Sequence, residues 1–139
     1  MVRGITREDG AVSPEEVKQL IREGTPEELV RDKRVLVVTP DATRTCPLPM
    51  VTRAVQETIA PAARRVDYII ALGSHHPLSK AQVDTLFGID DEARRTLFAG
   101  SSFYNHEWQN PDTFVDIGTF SEDEIAARTN GLFRESVRV

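Results

Sequence analysis

Arg34-Val35-Leu36-Val37-Val38-Thr39 runs directly into Pro40-Asp41-Ala42-Thr43-Arg44-Thr45-Cys46-Pro47, and the fold is read outward from that junction. The first part is a near-continuous aliphatic and β-branched run, the pattern of a parallel strand covered by helices on both faces. This predicts a central strand. The second part is a polar turn, and beyond Pro47 the apolar positions Leu48, Val51, Val55 and Ile59 recur at helical spacing until Pro61 interrupts them. Val66-Asp67-Tyr68-Ile69-Ile70-Ala71-Leu72 is a second strand, and it ends at Gly73-Ser74-His75-His76-Pro77. A strand–helix–strand order implies a right-handed parallel crossover. Both polar turns then open on one edge of the sheet, where open α/β sheets bind their ligands.

The flanking segments extend the same architecture. Residues 1–12 show no periodicity and read as an arm or a short strand around Val2-Ile5. Ser13-Pro14-Glu15-Glu16 is a capping box with proline at the first helical position, and Val17, Leu20 and Ile21 mark one face of a helix ending near Gly24. Thr25-Pro26-Glu27-Glu28 repeats the start signal for a shorter helix. After His76-Pro77, Ser79 to Gln82 again resembles a capping box, and Gly88 closes that helix. A further helix is expected from Asp90 to about Phe98, and a third short strand at Phe103-Tyr104-Asn105-His106. Asn110-Pro111-Asp112 signals a turn. The alternation in Thr113-Phe114-Val115-Asp116-Ile117-Gly118 predicts a fourth strand with Val115 and Ile117 on one face. Ser121 to Glu124 starts a last helix, Asn130-Gly131 breaks it, and Val137-Arg138-Val139 reads as an interrupted strand. The predicted fold class is α/β: one Rossmann-like three-layer domain over residues 1–139, with about four mostly parallel strands and helices on both faces.

Composition narrows the function. The 139 residues are 40% hydrophobic and 28% charged, as expected of a globular chain long enough for one core. A net charge of −5 without a basic stripe argues against nucleic-acid binding. No apolar run approaches the roughly 20 residues needed to span a bilayer, and the early Arg3, Arg7, Glu8 and Asp9 leave no signal-peptide core. The lone Cys46 excludes an internal disulfide and fits a reducing compartment, so the expected location is cytoplasmic.

Two turns carry the chemistry. A guanidinium at Arg44, beside Thr43 and a helix start, can hold a carboxylate or phosphate. The alternative is a solvated turn in which Thr45 or Cys46 caps the helix and Arg44 pairs with Asp41. His75 can exchange a proton near neutral pH, and Gly73 and Ser74 leave room for close approach. Its neighbour His76 points the other way if the segment is extended. His75, His76 and His106 together could ligate a metal, but neither HxH nor HxxxH spacing occurs. A glycine-rich nucleotide fingerprint is absent.

Asp41-Ala42-Thr43-Arg44-Thr45-Cys46-Pro47 resembles the D-x-T-R-x-x-P turn of the nickel-dependent lactate racemase family. Ala71-Leu72-Gly73-Ser74-His75-His76-Pro77-Leu78-Ser79 is similar to that family's A-(L/T)-G-x-H-x-x-(M/L)-(S/T) segment. Asn105-His106-Glu107-Trp108, Asp112 and Ile117-Gly118-Thr119 resemble its next block, in the same order. The resemblance implies an isomerase with two α/β domains and the active site between them. A 2-hydroxy acid would give a hydride to a nickel-pincer nucleotide while a histidine takes the hydroxyl proton. His75 matches one of the family's two acid/base histidines, and Arg44 an arginine of the substrate and cofactor pocket. Asp41 and Thr43 belong to the same pocket-lining turn, and Ser74 and His76 complete the expected binding set. The family's second histidine, its cofactor-anchoring lysine and its nickel-ligating histidine have no counterpart here.

The expectation is therefore an amino-terminal segment of a 2-hydroxyacid racemase or epimerase. It would be inactive alone, bind no cofactor by itself, and require the carboxy-terminal half of the enzyme as partner. Two alternatives stand beside it. One is a non-catalytic anion- or nucleotide-binding module built on Thr43 and Arg44; the other is a metal-dependent hydrolase built on His75 and His106.

Overall fold

A computed structural model describes residues 4–8 and 10–139, which form two compact units, one reaching to His106 and one spanning Glu107–Val139. The first unit carries a parallel sheet in the order β1 (Arg34–Pro40), β2 (Arg65–Ala71), β3 (Phe103–Asn105). Four of its helices are α1 (Pro14–Gly24), α2 (Glu27–Val30), α3 (Leu48–Ile59) and α4 (Lys80–Phe87). A fifth short helix, α5, spans Asp91–Arg95. The fold class is α/β, as the strand–helix–strand pattern predicts.

The register explains how one face of this sheet becomes the core. Val35 pairs with Val66, Val37 with Tyr68 and Thr39 with Ile70, while Phe103 sits beside Tyr68. Residues in register on neighbouring parallel strands share a face. Val66, Tyr68 and Ile70 are buried with Leu48, Val55 and Ile59 of α3, Val83 and Phe87 of α4, and Phe98. Tyr68, fully buried, stacks on Phe103 at 5.0 Å and meets Phe87 and Phe98 edge-on. Its hydroxyl donates to Gln56 Oε1 at 2.9 Å, and Gln56 Nε2 donates to the Leu97 carbonyl at 2.9 Å, so the buried polar atoms are satisfied.

The opposite face differs from expectation. Leu36 is 56% exposed, Val38 68% and Tyr104 46%. β1 is also an edge strand; β2 is the central one. An unbroken aliphatic run marks a strand with two apolar faces, yet only one face of β1 is packed in this structure. Asp67, on the exposed side of the alternation, is itself buried because Arg65 Nε reaches both its oxygens at 2.8 Å and the Ser102 amide donates to it at 2.8 Å.

Local signals set most boundaries. Ser13 and Ser79 close capping boxes with Glu16 and Gln82. Thr25 is instead the C-cap of α1, and the N-cap of α2 is Pro26, with no side-chain cap bond. α5 stops at Arg95 rather than running to Phe98, because the chain turns at Thr96 and the Phe98 amide bonds back to the Ala93 carbonyl, burying the ring. Of the expected amino-terminal strand, Val2 lies outside the described residues, and Gly4 and Ile5 have no regular structure.

The second unit contains a 3-10 turn at Pro111–Thr113, β4 (Thr119–Phe120), α6 (Glu122–Arg128) and β5 (Val137–Arg138), with β4 and β5 antiparallel. The expected strand over 113–118 does not form, and among the described residues the parallel sheet has three strands rather than four. Asn110 accepts the Asp112 amide and Asp116 accepts the Gly118 amide, so side chains bend the backbone where a ladder would need it straight. Val115 and Ile117 are both over 80% exposed. β4 begins only after Gly118, and it pairs with the strand predicted at Val137.

Candidate functional site

The parallel pairing of Pro40 with Ala71 ends β1 and β2 side by side, so the turns that follow share one rim of the sheet. Thr39, buried at the end of β1, donates its hydroxyl to the Ile69 carbonyl at 3.2 Å and ties the two strand ends together. In the first turn the Asp41 side chain is buried and organises its neighbours. Its Oδ1 accepts the Thr43 amide at 3.1 Å and the Thr43 hydroxyl at 2.5 Å. In the second turn Gly73 takes a left-handed conformation (φ 58°), and the His75 amide closes back on the Leu72 carbonyl at 2.9 Å.

These two turns meet through a carboxylate and an imidazole. Asp41 Oδ2 bonds to His75 Nδ1. The Thr43 hydroxyl and then the His75 ring hold the Asp41 carboxyl below its ordinary range, at about 2. The carboxylate therefore stays charged at neutral pH, faces Nδ1, and fixes which ring nitrogen carries chemistry toward a ligand. The His75 side chain is a little over half exposed, which leaves its ring within reach of a ligand.

A cleft of about 440 Å³ opens at this rim, lined by Pro40, Asp41, Thr43, Arg44, Ala71, Leu72, Gly73, Ser74 and His75. Of the six expected site residues the cleft gathers five; His76 is not among its lining residues. Arg44 does not pair with Asp41, whose oxygens are taken by Thr43 and His75. Nor does Thr45 or Cys46 cap α3, whose N-cap is Pro47 with no side-chain bond. No described residue pairs with the Arg44 guanidinium. The turn over residues 42–47 is exposed to solvent, without the Arg44–Asp41 pair or the Thr45 or Cys46 cap of the solvated-turn alternative, and Arg44 lines the cleft.

His106 follows β3, and its amide donates to the Ile70 carbonyl at 3.1 Å. Among the described residues no three His, Cys, Asp or Glu side chains gather as a metal site, which leaves the three-histidine arrangement without support. The direct Asp41–His75 bond is not among the sequence expectations. The sequence does hold a signal for it: an acid one residue past one parallel strand and a histidine just past its neighbour are brought together wherever the two strands end in register.

The chain matches the lactate racemase N-terminal domain over residues 7–136. It belongs to that family. No curated protein matches the chain. A crystal structure of a protein from Thermotoga maritima, a structural genomics target, is similar to it with a TM-score of 0.72 at 24% identity. That match covers 91% of this chain and 29% of the other, so the lactate racemase-family chain described here spans under a third of that protein's length. At this identity the likeness supports the Rossmann-like fold. Among the described residues no helix is long and apolar enough to cross a membrane.

Proposed function

We propose that this chain forms the substrate-side wall of a 2-hydroxyacid racemase or epimerase. The observation that carries the reading is the Asp41–His75 pair in the same cleft as an Arg44 guanidinium that no described residue engages. A 2-hydroxy acid presents a carboxylate and, one carbon away, a hydroxyl. Arg44 suits the carboxylate, since a planar guanidinium can donate to both oxygens. His75 suits the hydroxyl proton: with Nδ1 held against Asp41, Nε2 is the nitrogen that accepts, and the charged carboxylate stabilises the imidazolium as it forms. Thr43 keeps Asp41 charged and aimed, and Ser74 adds a hydroxyl on the same wall.

Racemisation also requires a hydride acceptor, which in this family is the nickel-pincer nucleotide. The residues present do not fit a nickel site, because the cleft offers one ion-paired carboxylate and one imidazole but no ligand cluster and no lysine. The reading therefore assigns cofactor binding, and the second acid/base group, to the remaining part of the enzyme. That part is the partner, with a cytoplasmic setting. Substrate identity is a small 2-hydroxy acid, lactate being one candidate.

The test is turnover in the assembled enzyme. His75→Ala should lower kcat by about 10²-fold or more, the usual size of a lost general base, with the circular dichroism spectrum unchanged. Arg44→Lys should raise KM for the hydroxy acid while leaving binding of the corresponding alcohol untouched. Full turnover in His75→Ala would remove this reading. Phosphate binding that depends on Arg44 but not on His75 would favour the anion-module alternative.

A further inference from the structure

β3 ends at Asn105, in register with Ile70 of β2, so this side chain stands at the rim that carries the cleft. Its amide makes two bonds to a single residue. The Leu78 N–H donates to Asn105 Oδ1 at 2.9 Å, and Asn105 Nδ2 donates to the Leu78 carbonyl at 2.9 Å. Leu78 closes the loop that begins at Gly73 and carries His75 and His76. The other end of this loop is fixed by the Leu72 carbonyl, and its exit is fixed by the Ser79 capping box.

From this geometry we infer that Asn105 is a positioning residue: its side-chain amide holds the loop in the path that lets the His75 ring meet Asp41. Only an amide at this position can donate and accept in one plane, as a neighbouring strand would. A carboxylate could take the Leu78 N–H but would face the Leu78 carbonyl with like charge. A methyl group could do neither. Removing the side chain does not release β3, because the Tyr68 amide bonds to the Ser102 carbonyl and the His106 amide to the Ile70 carbonyl through the backbone alone. The effect should therefore fall on the loop. The catalytic meaning of this role rests on the proposed function; the geometry does not.

The experiment is ¹⁵N NMR of the His75 ring in this chain, in wild type, Asp41→Asn, Asn105→Ala and Asn105→Asp, with Leu78 amide exchange read alongside. Wild type should show the proton on Nδ1, and Asp41→Asn should lose that preference. Asn105→Ala should lose it too, while the amide pattern of the three strands persists and Leu78 exchanges about tenfold faster, the size expected for a hydrogen bond of order 1 kcal/mol. Asn105→Asp, which keeps the size and one of the two bonds, should fall between, and it carries the test if the alanine variant fails to fold. An unchanged Nδ1–H signal in folded Asn105 variants would overturn the inference, since a merely structural residue would shift only the melting temperature. A normal ring response here combined with full turnover of His75→Ala would instead sink the racemase reading alone.

Discussion

Replacing Ile70 by alanine and, separately, Val38 by alanine tests whether one face of the sheet supplies the core while the other is open. Ile70 is fully buried, between Thr39 and Asn105 in register, directly beneath the rim. Its truncation removes three buried carbons, roughly 2.4 kcal/mol at about 0.8 kcal/mol each, and the unfilled cavity raises the loss to about 3–4 kcal/mol. Val38 loses two carbons, but 68% of its surface already faces solvent, so its truncation should cost only about 0.5 kcal/mol. Urea unfolding followed by circular dichroism separates these values. With a slope of about 1–3 kcal/mol per molar, the Ile70 variant should shift its midpoint by about 1–4 M and the Val38 variant by a few tenths. A Val38→Ala loss above about 2 kcal/mol would refute the reasoning, because it would mean that the exposed face is packed in solution. Dependence of that loss on protein concentration would identify a second copy as the covering layer.

The remaining predictions concern the turns. Because the folded Asp41 carboxyl titrates at about 2, below its ordinary value of 3.8, its stabilisation should be complete above about pH 4 and vanish as pH falls through 2. Carboxyl-carbon NMR should show that midpoint, and Thr43→Val should move it upward by removing the strongest of its hydrogen bonds. Gly88→Ala should destabilise by more than about 2 kcal/mol in thermal melts, since φ is +63° and a Cβ would lie 2.9 Å from the Pro49 Cβ. Gly73→Ala should cost about 1 kcal/mol, the backbone strain alone, because nothing lies within 4 Å of its Cβ.

How much of this was legible in the sequence depends on the range of the interaction concerned. The β1–α3–β2 unit could be read because each element declares itself locally, through aliphatic runs, a 3.6-residue period and proline stops, and a parallel crossover then fixes where the turns lie. The capping boxes at Ser13 and Ser79 are equally local and form as expected, and the helix start read at Ser121 forms with a capping box of its own. The strand expected at 113–118 fails for the opposite reason. Alternation is a preference for a partner strand, and here the Asn110 and Asp116 side chains accept backbone amides locally while the Ile117 and Gly118 amides converge on the one Val139 carbonyl instead of forming a ladder. The rank of β1 in the sheet was likewise hidden, since an apolar run records that both faces are hydrophobic, not that anything covers them.

The same distinction explains why the site can be formed beside an incompletely covered sheet. Three contacts around the Asp41–His75 pair come from the packed side or from the rim: Thr39 locks the strand ends, Gly73 turns the second loop, and Asn105 holds its far end. Leu36, Val38 and Tyr104 contribute none of them. The Asp41–His75 pair is thus tied to the ends of β1, β2 and β3, and substitutions on the open face should leave the His75 ring signal unmoved. A layer added to that face would change stability without having to build the pair.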